Sequence, residues 1–227
     1  MSTRLIAASI IALAFSAPAL AETKTYSFGN FDKLDIAAGY EVIFTQSPQR
    51  SVTIESDNFS RITVNQNGDT LVIARPENTR LHGKAHDIVR ISAPDLKRAE
   101  LNAGVKFLVD GLKVENLDLD INAGVEADFR RLTAKTIRLD ANAGVKIELD
   151  GNCDKLRVDA SAGVDIDASG LLCKSADVEA GVGSSVRVHT LESVIADAGL
   201  GASIVVAGSP KTVDKHVALG GSVSLDR

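Results

Sequence analysis

Five carboxylates stand at one fixed offset from a recurring tripeptide, and they are the residues of this chain best placed to do chemistry together. Glu100, Asp120, Asp140, Asp159 and Asp177 each lie four residues before the glycine of an Ala-Gly-Val repeat. Stacked in register they would sit roughly 5 Å apart, where like charges repel. Two readings follow. Hard cations such as Ca²⁺ take carboxylate and carbonyl oxygens, which gives a cation-binding stripe. Alternatively the column is a solvated acidic face, with some of its charge neutralised by Arg138 and Arg157 in adjacent columns. The glycine-rich nonapeptide of dedicated calcium β-rolls is absent, and no other cofactor is expected.

The remaining reactive groups are few. Cys153 and Cys173 fall 9 and 10 residues past their repeat glycines, in the corners of adjacent repeats. In an oxidising compartment they are either a disulfide or two stacked buried thiols. His82 and His86 have i, i+4 spacing, but Gly83 and a loop setting spoil the helix that would aim both rings at one metal. His189 and His216 stand alone. No nucleophile–base pair and no phosphate-binding loop can be proposed on geometric grounds. A β-helical polysaccharide lyase or hydrolase would need convergent carboxylates and aromatic platforms. The sequence has no Trp and only two Tyr, so catalysis is not expected. With a net charge of −5 and no basic stripe, nucleic acid is excluded as a partner.

The elements that must position these residues come from the repeat itself. The tripeptide recurs as Ala103-Gly104-Val105, Ala123-Gly124-Val125, Ala143-Gly144-Val145, Ala162-Gly163-Val164, Ala180-Gly181-Val182 and Ala198-Gly199-Leu200, at glycine steps of 20, 20, 19, 18 and 18 residues. A self-similar period of this size means stacked units, each too small to bury its own apolar face. Within a unit apolar residues alternate with polar ones: Leu117, Leu119, Ile121, Ala123, Val125, Ala127 and Phe129 share one face. Period two is strand. Units this short leave no room for a crossover helix, so the copies should stack in parallel as rungs of a β-helix. This reading puts Ala103, Ala123, Ala143 and Ala162 in one buried column. Gly111, Gly151 and Gly170 mark further corners, with Arg130-Arg131 and Gly208-Ser209-Pro210 serving elsewhere. Two residues before the repeat glycine stand Asn102, Asn122, Asn142, Ser161, Glu179 and Asp197, a column whose Asn amides are suited to stacking. Lys106, Glu126, Lys146 and Asp165 alternate in sign, which selects the register.

Upstream the pattern changes. Residues 1–21 hold one basic residue, Arg4, then an apolar run from Leu5 to Phe15 and a small-x-small site ending at Ala21. This is read as a secretory signal peptide cleaved after Ala21, which makes the mature chain periplasmic or secreted. No other segment could span a bilayer. Residues 22–227 are read as one domain: 22–98 an N-terminal rung plus antiparallel strands, and 99–227 the repeat rungs. The first rung, Lys33 to Thr45, alternates around Gly39. Shorter strands follow, with Asn67-Gly68 as the turn of an antiparallel hairpin insert, and Arg75 to Asp87 is a polar loop.

An N-terminal rung, a strand-rich insert closing in Ile91-Ser92-Ala93-Pro94-Asp95-Leu96, and glycine-centred rungs of about 20 residues resemble the bacterial family described as "putative autotransporter adhesin, head GIN domain". The resemblance covers essentially all of residues 22–227. It implies a right-handed, all-β parallel β-helix, secreted or periplasmic, with no established activity. The expected function is a non-catalytic envelope or surface module contacting an unknown protein or surface polymer. Self-assembly through open solenoid ends is the alternative.

Overall fold

The computed structural model describes residues 21–76 and 87–226. The signal-peptide reading therefore lies outside the described residues except for Ala21, and so do His82 and His86. Among the described residues seventeen strands form one continuous sheet, and the only helical element is a single 3₁₀ turn at Phe59–Arg61.

The solenoid is built of rungs of about 20 residues, as the repeat spacing requires. Its long strands are β10 (Lys113–Asn122), β11 (Glu126–Asn142), β12 (Lys146–Ala160), β13 (Asp165–Ala180) and β14 (Ser185–Ala198), each parallel to the next. One rung shows the section. Val125, Ala127 and Phe129 point inward, then Leu132 and Ala134, then Ile137, Leu139 and Ala141, all buried. Two outward residues follow Phe129, two follow Ala134 and three follow Ala141, so each break is a corner and the rung has three sides. The interior takes small and branched side chains, with Phe107 and Phe129 meeting edge to face at 5.6 Å.

At the first end, β2 (Lys33–Ala37) and β3 (Glu41–Gln46) form a rung that lies on β8 (Arg98–Asn102) and β9 (Lys106–Asp110). The insert covers the other side of that rung. Within it β6 (Thr70–Ala74) and β7 (Ile88–Ala93) extend the two faces in parallel. Antiparallel strands then close the stack: β5 (Thr63–Asn67) on β6, and β4 (Ser51–Ser56) on β7 with β1 (Glu22–Tyr26) outermost. Asn67 pairs with Thr70, so the hairpin turn is Gly68-Asp69, one residue later than the sequence suggests. Gly68 supplies the single positive φ, +62°. Beneath this cap Arg75 and Asp87 form a buried ion pair at 2.8 Å. Ser56 donates to the second Asp87 oxygen at 2.5 Å, and Arg75 Nε donates to the Ala38 carbonyl at 2.9 Å. The guanidinium also lies 4.7 Å from the Tyr40 ring centre, and burial pushes the Tyr40 hydroxyl up to about 12.

Two sequence expectations are corrected here. Ala103, Ala123, Ala143 and Ala162 are exposed, not a buried column. With their glycines they form the first corner: Ala123 and Gly124 have φ of 57° and 73°, and Ala143 and Gly144 have 59° and 71°. A two-residue left-handed corner preserves the in–out parity of the flanking strands, so alternation runs through it unbroken in the sequence. Alanine is held there because neighbouring corners bond to one another. Ala123 N donates to Asn142 O at 3.1 Å, and Gly124 N to Ala143 O at 3.1 Å.

The second correction concerns Gly181, which is not the equivalent of Gly163. Gly163 N bonds to Val182 O, and the next corner glycine with positive φ is Gly183 at +65°. The corner column thus runs Ala143, Ala162, Val182, Leu200, and every assignment counted from Gly181 slips by two residues.

These corners separate backbone strain from packing. Gly144→Ala has open space around its new methyl yet should destabilise by about 1–2 kcal/mol, because φ alone is unfavourable for an L side chain. Ala143→Phe should cost less than about 1 kcal/mol, whereas Ala141→Phe should cost about 1–3 kcal/mol by overpacking. Denaturant midpoints of the three variants check this ranking.

Candidate binding surfaces

The outward face that follows the third corner carries the acidic column, and the ladder shows its true membership. Glu100 pairs with Asp120, Asp120 with Asp140, Asp140 with Asp159, Asp159 with Glu179 and Glu179 with Asp197. Asp35 extends it at one end, and His216 stands next after Asp197 at the other. Asp177 is not a member. It pairs with Arg157 one column over, because counting from Gly181 displaced it. Glu179 and Asp197, read from the sequence as continuing the Asn column, belong to the carboxylates. Counting 20 residues on from Asp159 instead of back from a glycine recovers Glu179.

The column's repulsion is offset mostly from inside the protein. Arg98 lies 3.3 Å from Asp120 and 4.0 Å from Glu100. Arg157 lies 3.2 Å from Asp177 and 3.9 Å from Glu179, while Arg138 makes no ion pair among the described residues. The Asn122 amide donates to Asp120 at 2.9 Å and receives the Asn142 amide at 3.0 Å. His216 Nδ1 is 2.8 Å from Asp197. Asp140, in the middle, has the least relief. Partial burial, then the like charges of Asp159 and Asp120, hold its carboxyl above its ordinary value against the pull of Arg138 and Arg157. Among the described residues no group of three or more His, Cys, Asp or Glu is arranged to hold a metal ion.

On the second face Glu126 does stand between Lys106 and Lys146 in register. Lys146 nevertheless pairs within its own strand, with Glu148 at 2.8 Å. The alternation lowers repulsion without forming rung-to-rung bridges.

The third face is short and holds the cysteines. Ala134, Cys153, Cys173 and Thr190 are stacked by the ladder in one inward column. Cys153 and Cys173 are joined as a disulfide with Cα atoms 4.5 Å apart. Outside this column runs a groove of about 830 Å³, floored by Val114, Ala134 and Cys153 and reaching Leu172 and Leu191. No sequence signal marked it, since its apolar floor is made of residues that also serve the core.

The chain belongs to the family described as "putative auto-transporter adhesin, head GIN domain", whose model matches residues 30–210. Its fold is similar to that of a putative adhesin from Bacteroides fragilis, with a TM-score of 0.86 and 19% identity over 91% of this chain and 97% of that one. A putative lipid binding protein from Parabacteroides distasonis follows, with a TM-score of 0.72 and 16% identity over 92% and 98%. A putative adhesin from Parabacteroides merdae has a TM-score of 0.69 and 17% identity over the same shares. At such identities the likeness is one of fold. No curated protein matches the chain.

The Asp140 environment fixes a pH dependence. A raised native pKa means that ionisation costs the fold, so the penalty is absent below the unfolded carboxyl's range and sets in as pH rises past it. Asp140→Asn should therefore stabilise at pH 7 by about 0.5 kcal/mol, with no gain near pH 3. Paired denaturation curves at the two pH values measure it.

Proposed function

We propose that this chain is a non-catalytic, exported binding module that presents the flat outward faces of its solenoid to a protein or a surface polymer. The observation that carries this reading is the register of the outward columns, which is kept within the first face and within the second over successive rungs. Such a face offers a broad, rigid array of side chains at fixed spacing, which suits contact with an extended partner and needs little ordering on binding. The family description supports a surface or secreted setting, and residues 1–21 supply the leader that export would use. Of the two readings of the acidic column, the solvated one is preferred, because Arg98, Arg157, Asn122 and His216 already engage its carboxylates.

Self-assembly is the second reading, supported by the last strands. The outer edges of β16 (Thr212–Val217) and β17 (Ser222–Asp226) have no strand partner among the described residues, and Leu219 is 86% exposed. Against it, Lys215 occupies the inward column beside Ala196, and an inward-pointing charge is a standard guard against edge pairing.

Residues 22–227 should be retained on at least one immobilised envelope polysaccharide, or on the protein fraction of an envelope preparation, without releasing new reducing ends from any polymer tested. Release of reducing ends would overturn the non-catalytic reading. In parallel melts, millimolar Ca²⁺ and chelator should give the same midpoint. A rise with Ca²⁺ would restore the cation stripe, because a ligand that binds only the native state stabilises it.

A further inference from the structure

The third-face groove has an apolar floor between two polar flanks, and its lysines differ in whether they are paired. One flank is formed by Glu115, Lys135, Asp154 and Lys174, and it neutralises itself: Lys135 lies 2.5 Å from Glu115 and Lys174 2.6 Å from Asp154. The other flank is the ladder column Lys113, Thr133, Asn152, Leu172. It carries a single charge, the Lys113 ammonium, which has no ion-pair partner among the described residues. At the far end Leu172 and Leu191 are 40% and 47% exposed.

The Lys113 end is built, not incidental. Gln46 Nε2 donates to the Pro94 carbonyl at 3.0 Å and to the Lys113 carbonyl at 2.9 Å, and its Oε1 accepts the Lys113 amide at 2.9 Å. This three-bond clamp fixes the backbone that carries the ammonium and closes the groove there. Asp95 lies at the same end, with one carboxylate oxygen taken by the Leu96 amide at 3.0 Å. The disulfide stiffens the floor midway. From Lys113 to Leu172 is three ladder steps, and Leu191 stands one rung further on, next to Thr190 on the Lys174 flank, roughly 15–20 Å from Lys113 at strand spacing.

We infer that this groove seats one single-chain anionic amphiphile, a long-chain fatty acid, with its carboxylate on the Lys113 ammonium and its alkyl tail over Ala134 and Cys153 toward Leu172 and Leu191. The inference rests on the reading of this chain as a binding module and names one ligand class for one face. Lys113 orients the ligand: it is the one lysine lining the groove without an ion-pair partner among the described residues, so an anionic head is attracted to it, and an apolar tail covers the two exposed leucines. The size fits, since sites for small ligands enclose hundreds of Å³ and combine an apolar lining with a few placed polar groups. A bilayer is disfavoured as the occupant, because the groove is concave and flanked by Glu115 and Asp154.

The test is calorimetric titration of monomeric palmitate into residues 22–227, with hexadecanol as the uncharged comparison and phosphatidylglycerol vesicles as the bilayer arm. Palmitate should bind at one site. Leu172→Asp combined with Leu191→Asp should abolish binding without lowering the melting midpoint, since both side chains are already exposed. Lys113→Glu should weaken palmitate roughly tenfold and leave hexadecanol unchanged, and Lys106→Glu on the second face should change neither. Absence of palmitate binding, binding that survives the double leucine variant, or binding to vesicles alone would overturn the assignment. Any of those results would leave the retention assay on envelope polymers to stand or fall by itself.

Discussion

The parallel backbone ladder between successive rungs is the constraint on which every other feature depends. Each rung donates and accepts along its whole length, including the corners, where Gly104 N meets Ala123 O at 3.0 Å and Gly144 N meets Ala162 O at 3.2 Å. Because the rungs align residue for residue within the first and second faces, slipping only at the corners beside the third, an outward side chain on those faces meets the same position of its neighbours roughly 5 Å away. A choice of residue type is therefore a choice for a column. Apolar columns fill the interior, amides bond up the stack at Asn122 and Asn142, and carboxylates accumulate unless arginine or asparagine stands beside them.

How the ladder was legible in the sequence follows from what each position must satisfy. The inward columns had to be apolar at every second residue, so the strand character and the rung spacing could be read directly from Leu117 to Phe129. The corners could not. Two consecutive left-handed residues at Ala123-Gly124 advance the chain by an even number and keep the alternation in phase, so a bend looks like continued strand. The same ambiguity at Ala180-Gly181-Val182 hid a change of frame: Ala180 lies in the buried column with Ala160, and the corner has moved to Val182-Gly183. That shift exchanged Asp177 for Glu179 in the acidic column. Acidity could be read from the sequence, but its partners could not, because Arg98 and His216 reach it from rungs whose register only the ladder sets.

The ends and the third side show what the ladder leaves free. At the first rung the insert converts parallel edges into antiparallel strands and ties its neck with Arg75, Asp87 and Ser56, so that the solenoid starts on a covered surface. The third side has only two inward positions per rung: Leu112, Leu132 and Leu171 serve one column, while small side chains and the disulfide occupy the other. The shallow section between the flanks of Glu115 and Lys113 lies over that second column. A groove there requires no departure from the repeat, which is why no motif announces it.

The register between the rungs that carry Asp159 and Glu179 decides whether this account of the outward faces is right, and engineered cross-linking reads it directly. Adjacent Cα atoms of a parallel ladder lie within disulfide range, and the native cysteines are already joined to each other. The variant with Asp159→Cys and Glu179→Cys should oxidise to an additional intramolecular disulfide in the folded protein, while Asp159→Cys with Asp177→Cys should keep both new thiols free. Efficient bonding of 159 to 177 with none to 179 would contradict the register, and with it the acidic column from Asp35 to Asp197.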